Sequence, residues 1–591
     1  MAREMAMTGR HWGCGLALLA SAAVYALFAK SFFPNPAGRV GEDYSYFLPL
    51  ILAGRYWITA NGLFALPDFS PAFCGGLPFL ANPQSIFYSA PQALAEFVDP
   101  LTSVFLTLVL FAWLGGLGTF VLLRRRFDTS LAAAALGAVI FLFNGFLLYR
   151  MAIGQVTYHA VGLLPLLCFV LLTPLDGRPD WLRRFLVMTA LGGAILTYVV
   201  YCGAPNIIVP LALAALAVWL LHALACRPVM SFWPLGLGAG LLAAAAGAAK
   251  LAPALVFVSE FRRDGTLFIF PDLATALPAL FQAFFLPSAL PQFAERHEFE
   301  FGLGLVPLVL LVGGAGAALA RGALRRRPPP QRWLAAIGLA AVLAIPLWLN
   351  CGGPQFAAWL RTLPYIGENG MLVRWFFVYL LPLAIAAALM LDLLFADPRV
   401  RGGVALIGIL ATVGQALVAD TTHYRQQPYD PSPILAADRA LRRTGLPPPV
   451  TAIAAGRAFP DNDLLAAGAS AFPCYEPLFG YKLQTFPWGL RLGPLSLPDR
   501  HLRNPACYIY GRDNSCSPGD GFAADAAAAE TAFAAYRPFA YRRPEWQLAA
   551  DIASLVGLGA ILAGICLGIY ALCRHLSVSG RKRPAPRAIS R

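Results

Sequence analysis

The chain has 591 residues, of which 58% are hydrophobic and only 13% are charged. A water-soluble protein needs a more polar surface, so this composition excludes one and indicates a protein that lies mostly in a lipid bilayer. The formal net charge is +14, yet Lys and Arg stand in short clusters between apolar runs rather than in one basic domain. We therefore expect membrane lipids around the protein and no nucleic-acid partner.

Twelve apolar runs approach the roughly 20 residues that a helix needs to cross the hydrocarbon core. Several contain Pro and Gly, which membrane helices tolerate. The sequence thus predicts an all-α polytopic membrane protein of about 12 transmembrane helices. The predicted spans are 12–33, 101–123, 130–148, 156–175, 185–202, 206–225, 233–258, 301–320, 333–350, 372–395, 403–419 and 549–573.

Positive residues beside short loops mark the cytoplasmic side of a membrane protein. If the N-terminus is inside, alternate loops and the tail 574–591 all carry such residues. An even number of spans then puts both termini in the cytoplasm, and the first run is long enough to remain as an uncleaved anchor. The marking residues are Arg124, Arg125, Arg126, Arg183, Arg184, Arg227, Arg325, Arg326, Arg327, Arg399, Arg401, Arg581, Lys582 and Arg583.

This topology leaves two long stretches on the outer side, residues 34–100 (the first long segment) and 420–548 (the second long segment). The first is rich in aromatic residues among Pro and Gly turns, which predicts a partly helical loop whose rings lie near the lipid headgroups. The domains expected are therefore a transmembrane core at 1–419, an outer domain at 420–548 and a final span at 549–573.

The second long segment mixes turn signals with short apolar runs at 450–453 and 506–510, which predicts a small mixed α/β domain. An Ala-rich stretch at 522–536 has the composition of a helix. Cys507 and Cys516 lie close together here, and an oxidising compartment would let them form a disulfide.

A second candidate disulfide joins Cys74 of the first long segment to Cys474 of the second. The alternative for all four cysteines is that they are buried free thiols, because the sequence cannot fix their connectivity.

Ionisable residues in or beside membrane spans are costly unless they are paired or hydrated, so they mark candidate functional sites. Nearly all of them map to the outer ends of the predicted spans, as a single cavity open to that face requires. The alternative is that each one is a hydrated helix end. The residues are Glu42, Asp43, Arg150, His159, Lys250, Glu260, His297, Glu298, Glu300, Glu368 and Arg374.

Asp43 and Glu42 are an adjacent acid pair directly after the first span. A carboxylate at this place can act as a general base toward a hydroxyl acceptor, so we predict both as catalytic candidates. The alternative is that Asp43 caps a helix beginning at Tyr44.

Cations facing the same cavity would neutralise a phosphate leaving group. Arg374, Lys250 and Arg150 are the predicted phosphate ligands, and Lys250 stands alone in the apolar run 241–258. The alternative for Lys250 is a side chain that extends to the membrane surface. Further candidates for the cavity are His159, His297 and Glu298.

The other motifs in the sequence do not indicate a function. Asp461, Asn462 and Asp463 form an acid-x-acid pattern that can hold a metal and a nucleotide diphosphate, but a turn or helix cap explains it better. The sequence shows no phosphate-binding Walker loop, zinc spacing or Gly-x-Ser-x-Gly element. We therefore predict no metal site and no definite cofactor, and whether a divalent cation assists a phosphate stays open.

Several ordered motifs resemble the GT-C-type bacterial membrane glycosyltransferases, and among them the YfhO-like membrane proteins. The resemblance covers about residues 10–395 and begins with Asp43 after the first span. The later landmarks, in order, are Gly76–Tyr88, Gly154–His159 leading to Leu164–Leu166, Gly203–Asn206, Lys250–Pro253, Phe301–Leu303 running into Val306–Leu308, and Arg374–Trp375. This chain departs from the family's motif at Gly203–Asn206, where relatives often carry His and Gln beside the Pro.

This resemblance implies transfer of a sugar from a polyprenyl-phosphate carrier to a cell-envelope glycan, lipid or protein at the outer face of the bacterial inner membrane. Asp43 would be the base, the transfer would invert the anomeric centre, and Arg374 with Lys250 would stabilise the departing lipid phosphate. Two alternatives remain, a flippase or transporter for a lipid-linked substrate and a non-catalytic membrane scaffold.

Overall fold

The computed structural model of the chain describes residues 19–581 except 261–269, 287–295, 321–328, 364, 368, 420, 426–427, 457–461, 478–486 and 488. Within these ranges the structure does not describe the side chains of residue 260 and residues 575–581. Several residues singled out in the sequence therefore lie outside the described part, namely Glu368, Asp461, Arg325 to Arg327, Lys582, Arg583 and the side chains of Glu260 and Arg581.

In the described part of the chain, eight helices are long and apolar enough to cross a membrane. Each one matches a predicted span, and most of the helix ends agree with the predicted ends to within a few residues. They are Pro100–Arg125, Leu131–Ile153, Trp181–Tyr201, Pro205–Ala225, Pro330–Leu349, Leu372–Leu394, Pro398–Leu417 and Glu545–Arg574. A multi-pass membrane protein is thus confirmed by the length and composition of its helices.

The predicted span at 233–258 is broken into two helices. Phe232–Ala246 and Ala248–Glu260 meet at Gly247 with a bend of 75°. Three other predicted spans correspond to shorter apolar helices, and a fourth such helix lies between predicted spans. These four are Leu19–Lys30, Val156–Leu171, Leu305–Ala320 and Leu273–Phe285. The count of twelve spans therefore stays a prediction.

The first long segment begins with the helix Tyr44–Asn61. Two short antiparallel strands, Phe69–Ser70 and Leu77–Pro78, and the helix Ala90–Leu94 follow. Every residue from 44 to 57 is buried, so the prediction that the aromatic rings lie near lipid headgroups is wrong for the rings of this helix, whereas Phe64 is 94% exposed. The second long segment supplies part of the cover, since its Tyr536 meets Tyr56 edge-to-face at 5.2 Å, and the helix bundle supplies another part, since the hydroxyl of Tyr44 donates to the carbonyl of Met151.

The second long segment is a mixture of short helices and one small sheet. Strand Ala452–Ala454 pairs in parallel with Ala469–Ala471 and antiparallel with Gly493–Pro494. Its helices are Thr422–Arg425, Ser432–Thr444, Asp463–Ala467, Cys507–Asn514, Ala524–Ala526 and Ala527–Ala534. The Ala-rich helix is confirmed, while the apolar run at 506–510 forms a helix rather than a strand.

The two long segments pack on each other around a shared hydrophobic core. The disulfide Cys74–Cys474 joins them, and both it and Cys507–Cys516 are formed, which excludes free thiols at these four positions. The buried ion pair between Arg55 and Asp438, at 3.0 Å, joins them again. The two segments therefore lie on one face of the helix bundle.

Candidate active site

Asp43 directly precedes the helix Tyr44–Asn61 and occupies its N-cap position. Its side chain makes no capping hydrogen bond, so the geometry does not support the alternative that it serves as a helix cap. Its Oδ1 accepts a 2.9 Å hydrogen bond from the hydroxyl of Tyr475. The side chain of Asp43 is partly buried, whereas the neighbouring Glu42 is exposed to solvent.

Two glycines let Asp43 lie directly against the end of the helix Gly145–Ile153, which is the second part of the membrane-length helix Leu131–Ile153. Gly154 has a φ of 113°, and a Cβ there would lie 2.9 Å from the Cβ of Asp43. A Cβ on Gly41 would lie 2.0 Å from the carbonyl oxygen of Ile153. The same carbonyl accepts a 3.2 Å hydrogen bond from the N–H of Asp43. Any larger residue at either glycine would push Asp43 away from this helix.

Beside Gly154 lies a buried charge cluster centred on Glu298. Arg150 places Nη1 2.6 Å from Oε2 of Glu298, and Nε of Arg374 lies 3.0 Å from each carboxylate oxygen. Gln155 donates to Oε1 at 3.2 Å, and Nε2 of His297 lies 3.5 Å from the same oxygen. Arg150 and Glu298 are 0% and 1% exposed. The cluster therefore uses both predicted phosphate-binding arginines to hold one carboxylate.

The charges in this cluster do not cancel. Burial alone would raise the pKa of Glu298, but the charges of Arg150 and Arg374 hold that pKa well below its ordinary 4.5. One carboxylate faces two guanidinium groups, so the described groups carry an excess of positive charge. An anion bound against Arg374 would balance it.

Arg374 reaches from this cluster into a cavity of about 530 Å³. The cavity lies where the bundle meets both long segments, since Gln84 of the first and Pro477 of the second line it. One wall is apolar and belongs to the second helix of the broken span, Ala248–Glu260, with Leu251 and Leu255. Leu255 is 71% exposed, so this wall continues onto the outer surface of the bundle.

Four of the sequence landmarks meet at this cavity. Its lining includes Gln84 from Gly76–Tyr88, Asn206 from Gly203–Asn206, Leu251 from Lys250–Pro253, and Arg374 itself. Tyr365 and Asn369 add further polar groups. Two arginines, Arg361 and Arg374, line the cavity. A cavity with an apolar wall, a few polar side chains and guanidinium groups suits a ligand that is part lipid and part anion.

The remaining candidates bind parts of the protein. Lys250 is buried, and its ammonium donates to the carbonyl of Ser85 at 2.7 Å. Nε2 of the buried His159 lies 2.7 Å from the hydroxyl of Tyr198. Lys250 thus ties the first long segment to the broken span, and its ammonium points at backbone instead of opening into the cavity.

Glu300 forms an ion pair with Arg296 at 2.6 Å. Among the described residues, no group of three or more His, Cys, Asp or Glu side chains could hold a metal ion. The question of a divalent cation stays open.

Three residues at the site come from the second long segment and had no signal of their own in the sequence. Tyr475 contacts Asp43, Glu476 accepts a 2.9 Å hydrogen bond from Asn82, and Pro477 lines the cavity. Their neighbour Cys474 was the available clue, because pairing it with Cys74 brings this stretch to the first long segment.

No family model and no curated protein matches the chain. Two cryo-EM structures of arabinofuranosyltransferase AftD from Mycobacteria are similar, with TM-scores of 0.45 and 0.38 and identities of 17% and 18%. Each match covers 79% of this chain and 33% or 32% of that one.

The oligosaccharyltransferase of Archaeoglobus fulgidus, solved with zinc and sulfate, has a TM-score of 0.38 and 15% identity, over 85% of this chain and 62% of that one. The chain thus spans about a third of AftD and less than two thirds of the archaeal protein. These solved structures are of sugar transferases, and their TM-scores all lie below 0.5.

Proposed function

We propose that the protein is a membrane glycosyltransferase that moves a sugar from a polyprenyl-phosphate carrier to a cell-envelope acceptor. The observation that carries this proposal is the placement of Asp43 and Arg374. Asp43 is a carboxylate that caps no helix, and Arg374 is a guanidinium that lines a part-apolar cavity. A chain of contacts connects the two: Asp43 lies against Gly154, the next residue Gln155 donates to Glu298, and Glu298 accepts from Arg374. Base and leaving-group stabiliser are the two parts that such a transfer needs.

The reaction follows from these two groups. The acceptor hydroxyl attacks the anomeric carbon of the donor sugar and gives its proton to Asp43. The bond between the anomeric carbon and the phosphate oxygen breaks, and the lipid phosphate leaves with that electron pair. Arg374 stabilises the negative charge of the leaving phosphate. Attack opposite the leaving group inverts the anomeric centre.

A lipid-linked donor accounts for the shape of the cavity. The guanidinium of Arg374 suits a phosphate, and the wall with Leu251 and Leu255 suits an isoprenoid chain that enters from the bilayer. The Asp43 end of the site lies between the two long segments, which is where a polar acceptor would approach. We place this face outside the inner membrane of a bacterium and both termini in the cytoplasm, as the arginine clusters predict.

The direct test is sugar transfer by the purified protein in nanodiscs, using radiolabelled sugars on polyprenyl phosphate and the matching nucleotide sugars. We expect labelled product, or slow donor hydrolysis, with at least one lipid-linked donor and none with the nucleotide sugars. Transfer from a nucleotide sugar, or no turnover of any lipid-linked donor, would contradict the proposal.

A flippase or transporter for a lipid-linked substrate is a second candidate, because the span bent by 75° at Gly247 supplies a wall of the cavity. Broken helices at a binding site are typical of transporters. The two functions differ in their need for Asp43. A flippase would move a fluorescent polyprenyl-phosphate lipid across proteoliposomes equally well with Asp43→Asn, whereas a transferase would lose turnover.

A further inference from the structure

Four consecutive residues of the second long segment cross the candidate active site. Cys474 is bonded to Cys74, Tyr475 donates to Asp43 at 2.9 Å, and Glu476 accepts a hydrogen bond from Asn82 at 2.9 Å. The fourth, Pro477, lines the cavity that contains Arg374. This stretch therefore contacts the proposed base Asp43 and also lines the cavity that contains Arg374.

The position of Tyr475 is fixed from several sides. Its N–H donates to Oδ1 of Asn462 at 2.9 Å, and Nδ2 of Asn462 donates back to its carbonyl at 2.8 Å. Asn462 itself is 1% exposed. The ring of Tyr475 meets the ring of Tyr46 edge-to-face with centroids 5.7 Å apart. A ring held in this way has little freedom to move its hydroxyl away from Asp43.

The disulfide also holds the stretch 474–477 in place. Cys74 and Cys474 are 400 residues apart in sequence, and Tyr475 follows the bonded cysteine directly. The N–H of Cys74 also donates to the carbonyl of Ala471 at 2.8 Å. The covalent and backbone links together hold the second long segment in one register on the first.

We infer that Tyr475 is a positioning residue for the base Asp43, an inference that rests on the proposed glycosyl transfer. A carboxylate turns easily about its last torsion, which has no sharp rotamer. The hydroxyl of Tyr475 holds Oδ1, and among the described residues none bonds Oδ2. Oδ2 is therefore the oxygen presented to the acceptor hydroxyl. A neutral hydroxyl orients the carboxylate without the charge pairing that an arginine would bring.

Through Tyr475, the second long segment takes part in the chemistry. Pro477 lies two residues after Tyr475, so the two Cα atoms are within roughly 7 Å. The same stretch that orients the base thus forms part of the cavity wall. Without this segment, Asp43 would keep its place beside Gly154 but lose the contact that sets the direction of its carboxylate.

The test compares Tyr475→Phe with Tyr541→Phe. Both changes remove one hydroxyl of the second long segment that donates to a carboxylate, since Tyr541 donates to Asp68 at 2.6 Å. The substrate is the radiolabelled polyprenyl-phosphate sugar that the wild type turns over, and its concentration is varied. We expect Tyr475→Phe to lower kcat roughly tenfold or more with KM for the donor unchanged, the size expected for a hydrogen bond to a charged group. Tyr541→Phe should stay within about twofold of the wild type.

The double variant Asp43→Asn, Tyr475→Phe separates positioning from general packing. If Tyr475 acts through Asp43, the double variant is no slower than Asp43→Asn alone. Equal kcat in Tyr475→Phe and Tyr541→Phe, a loss confined to KM, or additive losses would overturn the inference while leaving the proposed function intact. Full turnover by Asp43→Asn would overturn the proposed base and the positioning role together.

Discussion

The guanidinium of Arg150 lies 2.6 Å from the carboxylate of Glu298, and both side chains are buried. Arg150 belongs to the helix Gly145–Ile153, whereas Glu298 belongs to a short helical turn, Arg296–Glu298. The second cation on Glu298 is Arg374 of a different span. One carboxylate thus connects three elements and aims Arg374 at the cavity.

Replacing Glu298 with Gln should therefore destabilise the protein strongly. Two buried or partly buried guanidinium groups would lose their shared carboxylate, and breaking such a pair costs about 3–5 kcal/mol. Thermal unfolding of the purified protein in nanodiscs measures this. The matched control is Asp180→Asn, which removes a carboxylate paired with two partly exposed arginines, Arg183 and Arg184, and should change the unfolding temperature little. Equal shifts for the two variants would contradict the role given to Glu298.

The same cluster predicts a dependence of stability on pH. The pKa of Glu298 lies well below its ordinary 4.5, because Arg150 and Arg374 outweigh the effect of burial. A carboxyl group whose pKa is depressed by folding stabilises the fold above its unfolded pKa, and that contribution is lost as the pH falls through the folded value. The unfolding temperature of the wild type should therefore fall below about pH 4.5 relative to that of Glu298→Gln. Curves that run parallel through this range would contradict the prediction.

The disulfide between the two long segments should matter more for stability than the local one. Cys74–Cys474 closes a loop of 400 residues and Cys507–Cys516 one of 9, and the entropy removed from the unfolded chain grows with loop length. Replacing the first pair with Ser should lower the unfolding free energy more than replacing the second, by up to about 3 kcal/mol. Thermal unfolding of both double variants decides this, with Cys566→Ser, an exposed free thiol, as the control. A larger loss from the local pair would contradict it.

Of the two arginines that line the cavity, Arg361 and Arg374, Arg374 should affect catalysis directly. In the proposed reaction, Arg374→Gln removes the charge that would face the leaving phosphate, and the loss of one such stabilising group should lower kcat by about 10²–10³-fold. Arg150→Gln removes a buried member of the same cluster that does not line the cavity, so its effect should fall mainly on the unfolding temperature. Steady-state kinetics and thermal unfolding of both variants separate the two roles. A lower kcat for Arg150→Gln than for Arg374→Gln would contradict the assignment.

Apolar length was enough to find most of the membrane helices from sequence. The run at 101–123 became the helix Pro100–Arg125 because nothing in it interrupts either the hydropathy or the backbone hydrogen bonds. The bend at Gly247 escaped prediction because the run around it stays apolar throughout. The buried aromatic residues of Tyr44–Asn61 were placed near lipid because their cover, the second long segment, is remote in sequence.

The sequence predicted the charged residues of the candidate site but not the contacts between them. Asp43, Arg150, Glu298 and Arg374 were singled out because charged residues are rare beside apolar runs. The pairing of these residues could not be predicted, since Arg150 and Glu298 are 148 residues apart and no local pattern links them. Tyr475 escaped prediction because a tyrosine in a loop carries neither charge nor periodicity.

The measurement that tests the central claim most directly is transfer or donor hydrolysis by Asp43→Asn, with Glu42→Gln prepared in parallel. We expect Asp43→Asn to lose turnover by about 10²–10⁴-fold, the usual contribution of a general base, while it unfolds at the same temperature as the wild type. The exposed Glu42 should tolerate its change to Gln. Wild-type turnover in Asp43→Asn, or a loss confined to Glu42→Gln, would contradict the account.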